Sequence, residues 1–149
     1  MGKMLRWLPA VVVACALGAS CAGTNNASDT PTQPSSFASP TSVETFTGTV
    51  AVAGTDSHPF NVPAPGEVDV TLTSLTPAPD PMVPLTLAIG LPSSTVVGQC
   101  ASIQSVSTTP GTAPQITGHA LAGTFCVSVT DTNSVLTASE TYTVVVAHP

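Results

Sequence analysis

Asp56-Ser57-His58 sets the three residue types of a nucleophilic triad side by side. Acyl transfer needs a serine whose proton passes to an imidazole that a carboxylate holds in place. Successive residues of an extended chain point to opposite faces, so these three cannot converge from one strand. They read instead as a turn residue followed by the start of a strand, and no Gly-x-Ser-x-Gly occurs in the chain. His58, His119 and His148 show neither His-x-His nor His-x-x-x-His spacing, so a zinc site would have to be assembled from separate strands. Glu67 and Asp69 share one strand face and are oxygen donors of the kind calcium takes. The plainer reading is a pair of solvated carboxylates on an outer face. Thr-rich outer faces could bind glycans, although threonine is also simply a favoured strand residue. No catalytic residue, cofactor or metal is expected.

The cysteines carry more definite chemistry, and the N-terminus decides which of them survive. Lys3 and Arg6 precede an apolar run from Trp7 to Leu17 that only Pro9 interrupts, and Gly18-Ala19-Ser20-Cys21 follows. A run of roughly 11 apolar residues is too short to cross a bilayer comfortably and has the flanks of an export signal. A cysteine directly after small residues at the end of such a run resembles the lipobox of bacterial lipoproteins. That resemblance implies diacylglyceryl transfer to the Cys21 sulfur, cleavage just before it, and residence on the exported face of a bacterial envelope. Gly18 stands where the family prefers leucine, and Leu17 lies one step earlier. Cys15, after Val12-Val13-Ala14, is an alternative site, and an ordinary secretory cut near Ala19 or Ala22 is another. Ala22 is not the aspartate that marks inner-membrane retention in enterobacterial lipoproteins, which points to the outer membrane where the source has one. Export leaves Cys100 and Cys126 to pair as a disulfide. Closing that loop contributes about 3 kcal/mol by chain-entropy arithmetic.

Charge excludes several partner classes. Both basic residues of the 149, Lys3 and Arg6, precede Cys21, and all eight acidic residues follow it, for a net charge of −6. A mature chain without lysine or arginine cannot release counterions from phosphates, so nucleic acid is excluded. Anionic lipid would repel it, which leaves a covalent anchor as the means of holding it to a membrane. The segment from Ala22 to Ser42 is rich in Thr, Ser, Asn and Pro, with Phe37 its only large apolar residue. It reads as a disordered tether with a root-mean-square reach of about 25 Å. The expected organisation is a signal peptide over 1–20, the lipidated cysteine and tether over 21–42, and a folded domain over 43–149.

That domain reads as an all-β sandwich of mostly antiparallel strands, because short alternating runs recur between turn signals. Phe46, Val50 and Val52 line one side of a first strand; His58, Phe60 and Val62 line a second. Ala64-Pro65-Gly66-Glu67 suits a type II turn. Val68, Val70 and Leu72 alternate with Asp69, Thr71 and Thr73. Thr76 to Pro81 is a Pro-rich loop. Val83 to Leu91 is in phase, with Pro84 arguing for an edge position or a bulge near its start. Thr95 to Val106 gives one strand or two around Cys100, and Gln115 to Ala120 a short one. Ala122 to Asp131 reads as the central strand, with Phe125, Val127 and Val129 inward and Cys126 placed to tie it to a neighbouring strand. Tyr142, Val144 and Val146 close the domain. No salt bridges are expected in it, since it has no lysine or arginine.

Five segments in order carry a resemblance: Glu44-Thr45-Phe46-Thr47-Gly48-Thr49, Ser57-His58-Pro59-Phe60-Asn61-Val62, Pro65-Gly66-Glu67-Val68-Asp69-Val70-Thr71-Leu72, Ala122-Gly123-Thr124-Phe125-Cys126-Val127-Ser128-Val129 and Thr141-Tyr142-Thr143-Val144-Val145-Val146. Together, from Ser42 to Pro149, they resemble the bacterial pre-peptidase C-terminal domain. The resemblance implies a jelly-roll-like sandwich of about eight or nine strands that accompanies secreted peptidases without being catalytic. Relatives in collagenases bind collagen through exposed aromatics and take calcium on acidic linker residues. Here Tyr142 is expected to face the core and the tether's one acid is Asp29, so the fold carries over and those sites do not. The expected role is non-catalytic binding of a protein or polysaccharide from a lipid anchor. Alternatives are a structural envelope lipoprotein, or an accessory to a separately encoded secreted hydrolase.

Cys21→Ser should abolish incorporation of labelled palmitate and release the protein from membranes. Persistent labelling would move the modification to Cys15 or remove it from the reading.

Overall fold

The computed structural model describes residues 37–77 and 83–149. The signal segment with Cys15 and Cys21, the tether up to residue 36, and part of the Pro-rich loop lie outside the described residues. Among the described residues there are eight strands and no helix: β1 (Ser42–Val50), β2 (Thr55–Val62), β3 (Gly66–Thr76), β4 (Leu85–Pro92), β5 (Cys100–Thr108), β6 (Ile116–Ala120), β7 (Gly123–Thr130) and β8 (Glu140–His148). One sheet has the order β1-β8-β3-β6 and the other β2-β7-β4-β5. All the strand pairs are antiparallel. This is the double Greek key of a jelly roll, within the all-β sandwich class that the alternation implies. Only β4 and β5 are both consecutive and paired, so the 93–99 connection is the one hairpin loop confined to a single sheet.

The inward faces follow the two-residue period. Val68, Val70 and Leu72 of β3, Val127 and Val129 of β7, and Tyr142, Val144 and Val146 of β8 are buried, with Phe125 partly buried against the same core. Burying one such side chain stabilises by about 1.5–3 kcal/mol. A bulge in β3 between Leu72 and Ser74 resets the phase, so that Leu75 is also buried. Gln115 repairs the ladder at that point. Its Oε1 accepts from the Leu72 N–H at 2.7 Å, and its Nε2 donates to the Leu72 carbonyl at 3.3 Å.

Several local expectations are overturned. Val52 lies beyond β1 in a turn and is half exposed, because the chain must already be crossing to the other sheet there. Gly66 does not take the positive φ of a type II turn. It begins β3 and packs under Pro149 and the Ala38 carbonyl, and Ala38 forms a parallel bridge to it. The last part of the supposed tether is thus laid against the domain, and the Glu67 N–H donates to the Ala38 carbonyl at 2.9 Å. Strand β4 is interior, not an edge: Pro84 precedes the first paired residue, where its missing N–H costs no ladder bond. The bulge lies at the far end, between Ile89 and Gly90, where β5 carries the extra residue Ile103. Residues 93–99 form a loop, and the strand begins only at Cys100.

Cys100 and Cys126 are joined by a disulfide with Cα atoms 5.8 Å apart. They are not on neighbouring strands, since β4 lies between β5 and β7. Gly90 is what lets the bond straddle β4. It pairs with Cys126, and a Cβ there would run into the carbonyl of Ala101 and the Cα of Ser102. Without that Cβ, the start of β5 rolls over β4 until Cys100 reaches β7.

Gly90→Ala should therefore destabilise the domain by about 1–3 kcal/mol through overpacking and leave a fraction of molecules with two titratable thiols. An unchanged melting temperature with no free thiol would show that β5 does not cross at Gly90.

Candidate functional site

The outer face of the β2-β7-β4-β5 sheet carries the most developed concavity lined by polar side chains. The 93–99 loop arches over that face from β4. Ser93 Oγ accepts from the N–H groups of Thr95 and Val96, at 3.3 and 3.1 Å. The Ser93 N–H donates to the Gln99 carbonyl at 2.8 Å, closing the arch at its base. Gly98, with φ +80°, turns the chain back, and its carbonyl accepts from Ser57 Oγ on β2. The disulfide pins the end of the arch to β7.

Beside the arch lies a cleft of about 370 Å³ lined by Thr55, Thr86, Ala88, Gln99, Ser102, Ser105, Ser128 and Thr130 among others. No side chain lining it is ionisable. Its hydroxyls are held in place at one end: Thr55 and Thr130 share a hydrogen bond of 3.0 Å, and Thr86 bonds Thr132 at 2.8 Å. Ala88 and Ser128 form a buried floor. A smaller hollow of about 90 Å³, between Pro59, Pro92 and Ser93, lies by the other side of the arch.

Asp131 fixes the end of the cleft from behind. It follows Thr130 directly, is 2% exposed, and accepts from the N–H groups of Ala53 (3.0 Å), Val135 (2.8 Å) and Leu136 (3.3 Å). Its own N–H donates to the Gly54 carbonyl at 2.9 Å. Burial works against its ionisation, but the three backbone donors together outweigh burial and hold the carboxyl below its ordinary value. The turn that starts β2 and the loop that ends β7 are thereby tied together, which sets Thr55 opposite Thr130.

The residues singled out by type fall elsewhere. Asp56 and His58 point inward, whereas Ser57 points outward to the arch, so no triad forms. Asp56 Oδ2 accepts from Tyr142 Oη at 3.0 Å and from the Thr49 N–H at 3.2 Å. Gly48 leaves the space: a Cβ there would strike both Asp56 and Tyr142. Burial first, and then the bond to the Asp56 carboxylate, push the Tyr142 phenol well above its usual range. His58 Nε2 is buried 3.7 Å from Asp56 Oδ2 with no hydrogen-bond partner, and its ring stacks on Phe46. His148, 4% exposed, shares a hydrogen bond of 2.8 Å with Glu44 Oε1. Histidine–carboxylate contacts thus stand where no salt bridge was expected, His148 to Glu44 across β8 and β1, and His58 to Asp56 within β2. His119 stacks on Phe37. On β3, Asp69 accepts from Thr117 Oγ1 at 2.7 Å. Among the described residues no three His, Cys, Asp or Glu side chains converge on a common point suited to a metal ion.

Asp131 and the cleft were both missed in the sequence. The Asp131-Thr132-Asn133-Ser134 turn was its one available sign, since an aspartate opening a turn often accepts from the backbone ahead of it. No family model matches the chain, and no curated protein matches it significantly.

Because its folded pKa lies below the ordinary 3.8, ionised Asp131 contributes stability that is present above the ordinary carboxyl range. That stability is lost as pH falls through its lowered folded value. Asp131→Asn should destabilise by about 1–3 kcal/mol at neutral pH and flatten the acid limb of a stability–pH profile. An unaltered acid limb would show that the carboxylate carries no such linkage.

Proposed function

We propose that the chain is an exported, lipid-anchored, non-catalytic β-sandwich module that binds an uncharged, hydroxyl-rich polymer, a polysaccharide, in the cleft beside the arch. The observation that carries this reading is the lining: hydroxyls and one amide, with no ionisable group, in a cleft of about 370 Å³. Hydroxyl donors and acceptors at fixed spacing replace the water around a sugar without a charge to desolvate. The cleft lies on a sheet face whose backbone groups are used in the ladder, so an extended peptide would find few main-chain partners there. The outward turn of Ser57, away from Asp56 and His58, supports a non-catalytic role. Anchoring rests on the lipobox resemblance at Cys21, and a binding module held at an envelope surface suits such a tether.

Neutral oligosaccharides on a glycan array, followed by titration calorimetry, test this. Binding should be insensitive to salt, since no charges meet. Ala88→Leu, which fills the floor, should weaken it about tenfold, equivalent to about 1.4 kcal/mol, with the fold intact by circular dichroism. Absence of binding to any neutral glycan, or binding indifferent to Ala88→Leu, would overturn the reading.

A further inference from the structure

The two seams between the sheets are built differently. Where β1 and β2 meet, polar bonds to Asp56 of β2 latch the sheets: one from Tyr142 Oη of β8 at 3.0 Å and one from the Thr49 N–H of β1 at 3.2 Å. Where β5 and β6 meet, the seam opens on an apolar notch of about 90 Å³ whose walls include Val68, Ile89, Ile116 and Phe125. Ile103, the extra residue of the β5 bulge, lies at this notch and is 66% exposed.

Beside that notch runs a free sheet edge. β5 is the outermost strand of its sheet, nine residues long, and almost wholly exposed. A free edge presents unpaired N–H and C=O groups that another strand can satisfy, and proteins guard such edges with charges, prolines or shortness. The other three edges have one of these guards: β1 has Glu44, β2 has Asp56, His58 and Pro59, and β6 has five residues with His119. β5, Cys100-Ala101-Ser102-Ile103-Gln104-Ser105-Val106-Ser107-Thr108, has no charge and no proline.

The charge of the domain selects the occupant. Two copies, each with eight acidic residues after Cys21 and no lysine or arginine there, have no cationic surface with which to complement one another. They can approach closely only where carboxylates are missing; of the two edge strands without one, β6 has five residues and carries His119, and β5 has nine and carries no ionisable side chain. An antiparallel pair of identical strands is self-complementary about a two-fold axis.

We propose that β5 is a self-association edge. Two copies pair their β5 strands antiparallel about a two-fold axis normal to the sheet and near Ile103–Gln104. The two four-stranded sheets become one continuous sheet, and each notch is covered by the other copy. Because the axis is normal to the sheet, both outer faces lie on the same side. Ser102 and Ser105 line the cleft from β5 itself, so pairing sets the two clefts side by side across the axis as one hydroxyl-lined trough for a single long polymer. That last consequence rests on the cleft reading above; the pairing does not.

The test uses the full mature chain in detergent, with excess micelles, followed by sedimentation and by hydrogen exchange at several concentrations. Doubling of protein mass with concentration, together with slowed exchange of the Ala101–Ser107 amides, is expected. Ile103→Lys sets two like charges near the axis and should weaken association by about a hundredfold or more. Ser105→Lys should do likewise by placing a cation on the outer side of the strand. Retained strand content and an intact disulfide show that each variant is folded. A monomer at every concentration, protection confined to β1, β2 or β6, or dimers unaffected by both substitutions would overturn the proposal. If the chain pairs through β5 but binds no neutral glycan, the cleft reading falls and the pairing stands; if a persistent monomer binds glycan, the pairing falls alone.

Discussion

A domain without lysine or arginine must hold its carboxylates with neutral donors or with histidine. The six described acidic side chains are each buried or half-buried, and four of them, Glu44, Asp56, Asp69 and Asp131, accept hydrogen bonds from such donors. Asp131 takes three backbone N–H groups, Asp56 takes a phenol and backbone N–H groups, and Glu44 takes His148. The bonds of Asp131 to Ala53, of Asp56 to Tyr142 and of Glu44 to His148 join parts of the chain distant in sequence, and Asp56 ties one sheet to the other. These three carboxylates are thus engaged within the fold and not turned freely to solvent. What remains outside is a surface of threonine, serine and aliphatic side chains. The cleft without ionisable groups and the β5 edge without a carboxylate are both products of that distribution.

The jelly-roll order adds a second constraint, because it pairs the ends of the chain. β1 lies against β8, so that Ser42 faces His148 and Val50 faces Glu140. Such non-local ladders are slow to form, since loop-closure entropy is lost before the contacts repay it. The disulfide between Cys100 and Cys126 acts within one sheet and over a shorter loop, and it shortens the search for β5. Its place across Gly90 also explains why the arch stands over the outer face instead of extending β4 and β5 into solvent. One glycine, one crosslink and one serine hydroxyl from β2 together shape the concave wall of the cleft.

The strands themselves were legible. Val68-Asp69-Val70-Thr71-Leu72 and Phe125-Cys126-Val127-Ser128-Val129 alternate in type, and a period of two assigns each side chain a face without reference to anything distant. The bulges were not legible. Thr73 and Ile103 are ordinary strand residues, and what makes each of them extra is the register of a partner strand. The turn expected at Gly66 failed for a related reason, since its conformation answers to Ala38 and Pro149, which are remote in sequence.

By itself the sequence determined the all-β class, the inward faces of most strands and the lack of lysine and arginine in the domain. These follow from composition and from a periodicity local to a few residues. Only the tertiary structure decided that Cys100 reaches Cys126 over an intervening strand, that Asp56 and His58 turn to Tyr142 while Ser57 turns to the arch, and that ten polar or small residues from four strands and one loop line a single cleft. Alternation says which side of a strand a residue occupies, but not which strand lies next to it. Strand order is a choice among edges that meet across the whole chain, and it was that choice that brought the site together.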